Sequence, residues 1–240
     1  REVELETRFI DANRERLLGN YDKAIPLYED ILKEDKDNHA VAFELARIFD
    51  EQEIFDKSVR YAKQAVELDP SNPWYQQLLA EVYQKIGGND EAAAVYEQLV
   101  KSDPDNEEYY FKWAYYLVRA NELQKAVRVY DELESKTGVT EALIRRKHAL
   151  YLGSGDTKRA ARELERLIEA FPDDMQYQHL LADFYEEIGE PKKAQAAYEA
   201  ILEIDPNDAK AKLALTGTPK ASSNELQYIE SLRPVFEQPG

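Results

Sequence analysis

The sequence predicts an all-α fold, an α–α superhelix of about six full 34-residue helix–turn–helix repeats followed by a degenerate seventh. Three observations carry this. Ala24, Ser58, Ala92, Ala126, Ala160 and Ala194 stand 34 residues apart. Two more columns keep the same period: Tyr28, Ala62, Tyr96, Tyr130, Leu164 and Tyr198, then Ile31, Ala65, Leu99, Leu133, Leu167 and Ile201. Chain breakers fall in step with them, with Gly19, Gly87, Gly155 and Gly189 at turns inside units and Pro70, Pro104, Pro172 and Pro206 between units. The register predicts at least twelve antiparallel helices in a right-handed superhelix with no strand.

The helix pairs are read at about 5–34, 39–68, 73–102, 107–135, 140–170 and 175–204. In the first pair Ala24, Tyr28 and Ile31 follow the i, i+4, i+7 spacing of one helix face, and Asn20 is the expected N-cap. Ala12, Ala46, Ala80, Ala114 and Ala182 form a small-residue column that lets helix axes approach, so Ala80, Ala92 and Ala126 should be almost fully buried. Leu79, Leu181, Phe49, Tyr83 and Tyr185 fill the space beside them. Pro73 and Pro191 suit a first helical turn, where a missing N–H costs nothing. Unit five breaks the pattern: Lys147 replaces the column of Leu45, Leu79 and Leu181, and His148 replaces the alanine column. A lysine in an apolar seam must snorkel or be paired, so its nitrogen is expected in solvent or beside an Asp or Glu. Asp156 should cap the following helix.

Residues 1–208 thus hold six repeats, at about 5–38, 39–72, 73–106, 107–140, 141–174 and 175–208, and residues 209–240 a degenerate or truncated seventh. Ala209 to Leu215 opens it, Gly217 and Pro219 interrupt it, and Leu226, Ile229, Leu232, Val235 and Phe236 resume a helical stripe. Either a C-terminal cap or a unit cut short accounts for this.

Composition narrows the function. A formal charge of −17 disfavours phosphate-backbone binding and so a nucleic-acid partner. There is no cysteine, which excludes disulfides, thiol nucleophiles and Cys-based zinc sites. No apolar run approaches the roughly 18 residues of a membrane span. His39, His148 and His179 are the only histidines and show no metal-ligand spacing. No catalytic set can be assembled, so no enzyme, cofactor or metal is expected. Asp183, Glu186, Glu187 and Glu190 share one helix face, which reads as a solvated face or a site for a basic peptide or Ca²⁺.

The run Leu78-Leu79-Ala80-Glu81-Val82-Tyr83-Gln84-Lys85-Ile86-Gly87, with Ala92, Tyr96 and Pro104, resembles the tetratricopeptide repeat family, and the resemblance extends from about Leu5 to Asp208. It implies that first helices line a concave groove. Transferred residue by residue, the groove would take Glu6, Phe9, Asn13 and Arg16 from unit one and Phe43, Arg47 and Asp50 from unit two. Unit three would add Trp74, Gln77, Glu81 and Gln84, unit four Phe111 and Tyr115, unit five Arg145 and Ala149, unit six His179 and Asp183. Phe9, Phe43, Trp74, Phe111 and Tyr115 would form an aromatic track, the residue type that dominates interface energetics. The family's two-carboxylate clamp for chaperone tails is absent. Asn13 matches, but Phe9 stands where its lysine would be and Arg47 where the next asparagine would be.

The stretch Phe9 to Tyr21, with Asp69 to Tyr75 and Ala170-Phe171-Pro172, is similar to multi-repeat (lipo)proteins of Bacteroidetes-type bacteria. That resemblance implies a periplasmic, bacterial-envelope location with a lipid anchor upstream of Arg1, the alternative being cytoplasmic. The leading expectation is a non-enzymatic scaffold that binds a partner protein or peptide in its groove. The alternative is a structural spacer or assembly region of a larger envelope protein.

Overall fold

Thirteen helices and no strand occur among residues 2–216, the span described by the computed structural model. The stripe from Leu226 to Phe236 lies outside the described residues. By its contacts the chain divides into two units, Arg1–Glu122 and Leu123–Gly240. The first unit holds α1 (Glu2–Leu17), α2 (Tyr21–Glu34), α3 (His39–Glu51), α4 (Phe55–Leu68), α5 (Pro73–Lys85), α6 (Asn89–Ser102) and α7 (Glu107–Arg119). The second holds α8 (Leu123–Thr137), α9 (Glu141–Gly153), α10 (Thr157–Ala170), α11 (Met175–Glu187), α12 (Pro191–Ile204) and α13 (Ala209–Leu215). No described helix is long and apolar enough to cross a membrane.

Within each unit, consecutive helices pack as antiparallel pairs. The Tyr28 hydroxyl donates to Asn13 Oδ1 at 2.8 Å, and the Ser58 hydroxyl to the Ala46 carbonyl at 2.8 Å, so residues on either side of a turn face one another. The alanine columns explain the closeness. Ala12, Ala46, Ala80 and Ala114 of the first helices and Ala24 and Ala92 of the second are wholly buried. In the second unit Ala126, Ala160 and Ala182 are wholly buried as well. Tyr28, Ile31, Leu45 and Phe49 pack on the first set, Tyr198 and Ile201 on the last. Ser58 keeps its place in the alanine column only because the Ala46 carbonyl accepts its proton.

The turns inside repeats need one residue in the left-handed region. Gly19, Gly87, Gly155 and Gly189 supply it with φ between 74° and 82°. Glu53 and Asn121 occupy the same position in the other two repeats, at φ 59° and 63°. Two readings of the sequence are corrected. Asn20 precedes α2 but makes no capping bond; its Nδ2 donates to Glu15 Oε2 at 2.8 Å instead. And α8 runs to Thr137 rather than 135, because Gly138, at φ 83° in the proline column, ends the helix only at its own position, whereas α4 and α6 end two residues before Pro70 and Pro104. Asp156 caps α10 through the Arg159 N–H at 2.9 Å, and Pro73 and Pro191 open α5 and α12.

Candidate interaction face

Three first helices of the first unit, α1, α3 and α5, together line a cleft of about 560 Å³. Its floor is aromatic. The Phe9 ring sits edge-on to Tyr28 at 6.1 Å, and Phe43 lies 4.7 Å from Tyr75. Trp74, held in the first turn of α5 by Pro73 and by its own N–H donating to Asn72 Oδ1, is 69% exposed. Charged groups rim the cleft: the Arg47 guanidinium lies 5.8 Å above the Phe43 ring and 3.6 Å from Glu44, and Glu81 is exposed. Arg16 reaches the same Glu44 carboxylate at 3.0 Å.

Six of the expected groove residues therefore meet in one cleft: Phe9, Phe43, Arg47, Trp74, Gln77 and Glu81. Others do not. Asn13 is spent on the Tyr28 hydroxyl, and Arg16 on Glu44. Tyr115 packs edge-on against Tyr116 at 5.2 Å and accepts from Gln84 Nε2 at 3.3 Å. Phe111, half-buried on α7, is not among the cleft residues either. Tyr75 was missed as a cleft residue because its column is an interhelix packing column; its ring edge nonetheless forms part of the wall.

In the second unit the corresponding positions are engaged internally. Arg145 pairs with Glu141 at 2.6 Å, and Glu141 also accepts the Tyr177 hydroxyl at 2.8 Å. The Arg145 bond holds the Glu141 carboxyl below its usual range. His179 Nε2 is 2.8 Å from Asp208. Asp183 accepts from the Tyr198 hydroxyl at 2.9 Å and pairs with Lys210. The acidic face expected over Asp183, Glu186, Glu187 and Glu190 is cut short: α11 ends at Glu187, Glu190 stands just before α12 and lies 3.5 Å from Lys193, and Asp183 is paired with Lys210. Among the described residues no group of three His, Asp or Glu side chains is arranged to hold a metal ion.

Lys147 is buried inside a charged cluster. Its Nζ lies 2.6 Å from Glu134, 2.9 Å from Asp131 and 3.6 Å from Glu163. Arg166 closes the circuit, pairing with Glu134 and, at 2.8 Å, with Glu163. Burial alone would push the ammonium down; the bonds to Glu134 and Asp131 outweigh it, and its pKa lies above the ordinary lysine value. Next to it, His148 Nδ1 donates to the Ala160 carbonyl at 2.8 Å and its ring meets Phe184 edge-on at 4.9 Å.

Comparison with known proteins adds a frame. One tetratricopeptide repeat model matches residues 51–112 and 151–216, and a second matches residues 12–73. The signal recognition particle subunit SRP72 of Dictyostelium discoideum is 30% identical over 103 residues, covering 39% of this chain and 15% of that protein. Human aspartyl/asparaginyl beta-hydroxylase is 29% identical over 124 residues, covering 50% of this chain and 16% of the hydroxylase. The chain thus spans about a sixth of the length of these curated relatives, and the hydroxylase match lies in its repeat region. The structure of Naa15/Naa10 bound to HypK-THB superposes with a TM-score of 0.68 at 18% identity, over 97% of this chain and 36% of that one. A tetratricopeptide repeat protein from Parabacteroides merdae superposes with a TM-score of 0.53 at 15% identity, over 98% and 99%. At such identities the likeness speaks to the fold.

Proposed function

Starting from a chain that belongs to the tetratricopeptide repeat family, we propose that this protein is a non-enzymatic scaffold whose first-helix cleft holds a segment of a partner protein. Repeats of this family generally mediate protein–protein interaction. The observation that carries the finer reading is Trp74, a large ring 69% exposed at the mouth of a cleft already floored by Phe9, Phe43 and Tyr75. An exposed indole beside an arginine is the residue pairing that anchors interfaces. Arg47 and Glu81 on the rim give a bound segment one partner of each charge.

A second reading is favoured by residues 123–216, where Arg145, His179 and Asp183 are all paired within the chain. That part acts as a structural spacer, and binding is confined to the first unit. A bacterial-envelope location is also part of the proposal and rests on the Phe9–Tyr21 resemblance.

A randomised peptide display library selected against the purified chain tests the binding claim. Selected peptides should lose roughly thirtyfold in affinity for Trp74→Ala, the scale of an anchor truncation of about 2 kcal/mol. The same substitution should leave the melting temperature almost unchanged, since the indole is exposed. Peptides that bind Trp74→Ala and Arg47→Ala as they bind the parent would remove the cleft from the reading.

A further inference from the structure

We propose that the open slot between α12 and α13, at the end of the second unit, is the docking site of this chain's own residues 226–236, which enter it as an apolar helical stripe and close the array. The slot measures about 740 Å³. Ala194 and Tyr198 of α12 and Leu215 of α13 belong to its apolar wall. Glu186 and Glu199 stand at its edge with Gln195, whose Nε2 donates to Glu199 Oε1 at 2.7 Å.

The slot is open because α13 is short. α3, α5, α7, α9 and α11 each run 13 residues, and α13 stops after 7. One repeat earlier, the turns that α13 lacks carry Phe184 and Tyr185. The Phe184 ring meets His148 edge-on at 4.9 Å, and the Tyr185 hydroxyl donates to Glu165 of α10 at 3.2 Å. Glu165 is the counterpart of Glu199, which lines the slot. Thr218 and Pro219 stand in the places of Phe184 and Tyr185, so the sequence supplies no ring there. The lost cover shows on α12. Gln195 is exposed, whereas Ala93, Val127 and Ala161, at the same position of earlier repeats, are buried.

Register and tether select the occupant. Tyr228, Leu232 and Val235 continue the columns of Ala194, Tyr198 and Ile201, and Ile229 and Phe236 widen the same helix face. These columns are how earlier second helices pack, as Tyr28 and Ile31 do in the first unit and Tyr198 and Ile201 in the second. Pro234 falls inside the stripe as Pro26 falls inside α2. The chain leaves α13 at the slot itself, since Leu215 lines it. The 12 residues between Leu215 and Tyr228 reach roughly 40 Å when extended, ample to turn back. A segment tethered this closely competes at an effective concentration on the order of millimolar, which favours it over a free partner. Charge plays no part, because Lys220 and Arg233 offset Glu225 and Glu230 within residues 217–236. A second copy of the chain is the rival occupant, and α1 disfavours it. That helix carries Arg8, Asp11 and Arg14 where α3 buries Ala42, Leu45 and Ile48. Arg14 is paired with Asp11 at 3.0 Å and Arg8 with Glu4 at 3.1 Å, so stacking α1 on α12 would desolvate ion pairs against an apolar wall.

The test is NMR on the full chain with labelled methyl groups. Cross-peaks that report direct contact should join the Leu232 and Val235 methyls to those of Ala194 and Leu215. Leu232→Asp should erase the Val235 cross-peaks as well, because the stripe docks as one face, while cross-peaks within α1–α12 persist and show that the array is folded. Absence of contacts from Leu232 and Val235 to Ala194 and Leu215, or Val235 contacts that survive Leu232→Asp, overturns the proposal. A mixture of labelled and unlabelled chains separates the rival: contacts to Ala194 that appear only between chains assign the slot to a second copy and overturn docking from within. The first-helix cleft takes no part in these readouts, so peptide binding at Trp74 stands or falls separately.

Discussion

At the scale of single residues, His148 shows what a broken column demands. It stands where Ala46, Ala80, Ala114 and Ala182 stand in other repeats, yet it is buried. Its proton sits on Nδ1, because the Ala160 carbonyl can only accept. Burial pushes its pKa from 6.5 down to about 4. The unfolded chain therefore takes up this proton first as pH falls. The neutral histidine contributes its full share of stability above pH 6.5, loses it progressively between about 6.5 and 4, and the total is about 3 kcal/mol. Denaturant unfolding of wild type and His148→Ala across that window should show a pH-dependent loss of stability smaller by about this amount in the variant; parallel curves would contradict a neutral His148. A second prediction concerns Glu53, held at φ 59° where four other repeats use glycine. A side chain in the left-handed region costs about 1–2 kcal/mol, and glycine gives back about 0.5–1 in unfolded-chain entropy. Glu53→Gly should therefore stabilise by roughly 0.5–1 kcal/mol in the same assay. An unchanged or lower denaturation midpoint would mean the exposed glutamate does more at that turn than its backbone angle indicates.

At the scale of helices, the charged cluster on α8, α9 and α10 is a substitute for apolar packing. From the sequence alone, a Lys147 that reaches solvent or pairs with an acid has a structural role, and Lys147→Met is expected to keep or raise stability. The structure reverses the sign: three carboxylates and Arg166 surround the ammonium, and its removal leaves Glu134 and Glu163 under-compensated. The single change should cost about 3 kcal/mol. Replacing the whole set by its counterparts from the first unit is a different matter. Lys147→Leu, Glu134→Val, Glu163→Val and Arg166→Gln together recreate Leu79, Val66, Val95 and Gln98. In the first unit these four line an open space of about 790 Å³, so the exchange removes the uncompensated charge without supplying packing, and the quadruple variant should lie above Lys147→Met but below wild type in chemical denaturation. A quadruple variant less stable than Lys147→Met, or as stable as wild type, would contradict this.

At the scale of the whole chain, a charge of −17 acts over long distances while the ion pairs act at contact. Raising ionic strength from about 0.01 M to about 0.1 M shortens the Debye length from about 30 Å to about 10 Å. That removes most of the repulsion between acidic surfaces and leaves pairs such as Lys147–Glu134, at 2.6 Å, nearly intact. The melting temperature should rise over this range. A fall would show that exposed pairs such as Arg162–Glu165 outweigh the net charge.

The helices, their pairing and the buried columns were legible in the chain itself, because a 34-residue register repeats each packing residue until it is unmistakable. The same repetition hid the sites. A column tells that position 47 or 81 faces away from the packed seam; it does not tell that Asn13 will be spent on Tyr28, or Asp183 on Tyr198 and Lys210. Those outcomes depend on which polar group happens to lie across a turn or on the next repeat. Lys147 announced itself as an exception, but the acids that hold it come from α8 and α10, helices brought together only by folding. The open slot beside α13 is the plainest case. Sequence determined that Thr218 and Pro219 stand where Phe184 and Tyr185 stood; only the packing of α13 against α12 decided that the lost rings would leave a space, since a void is a property of neighbours and not of any one residue.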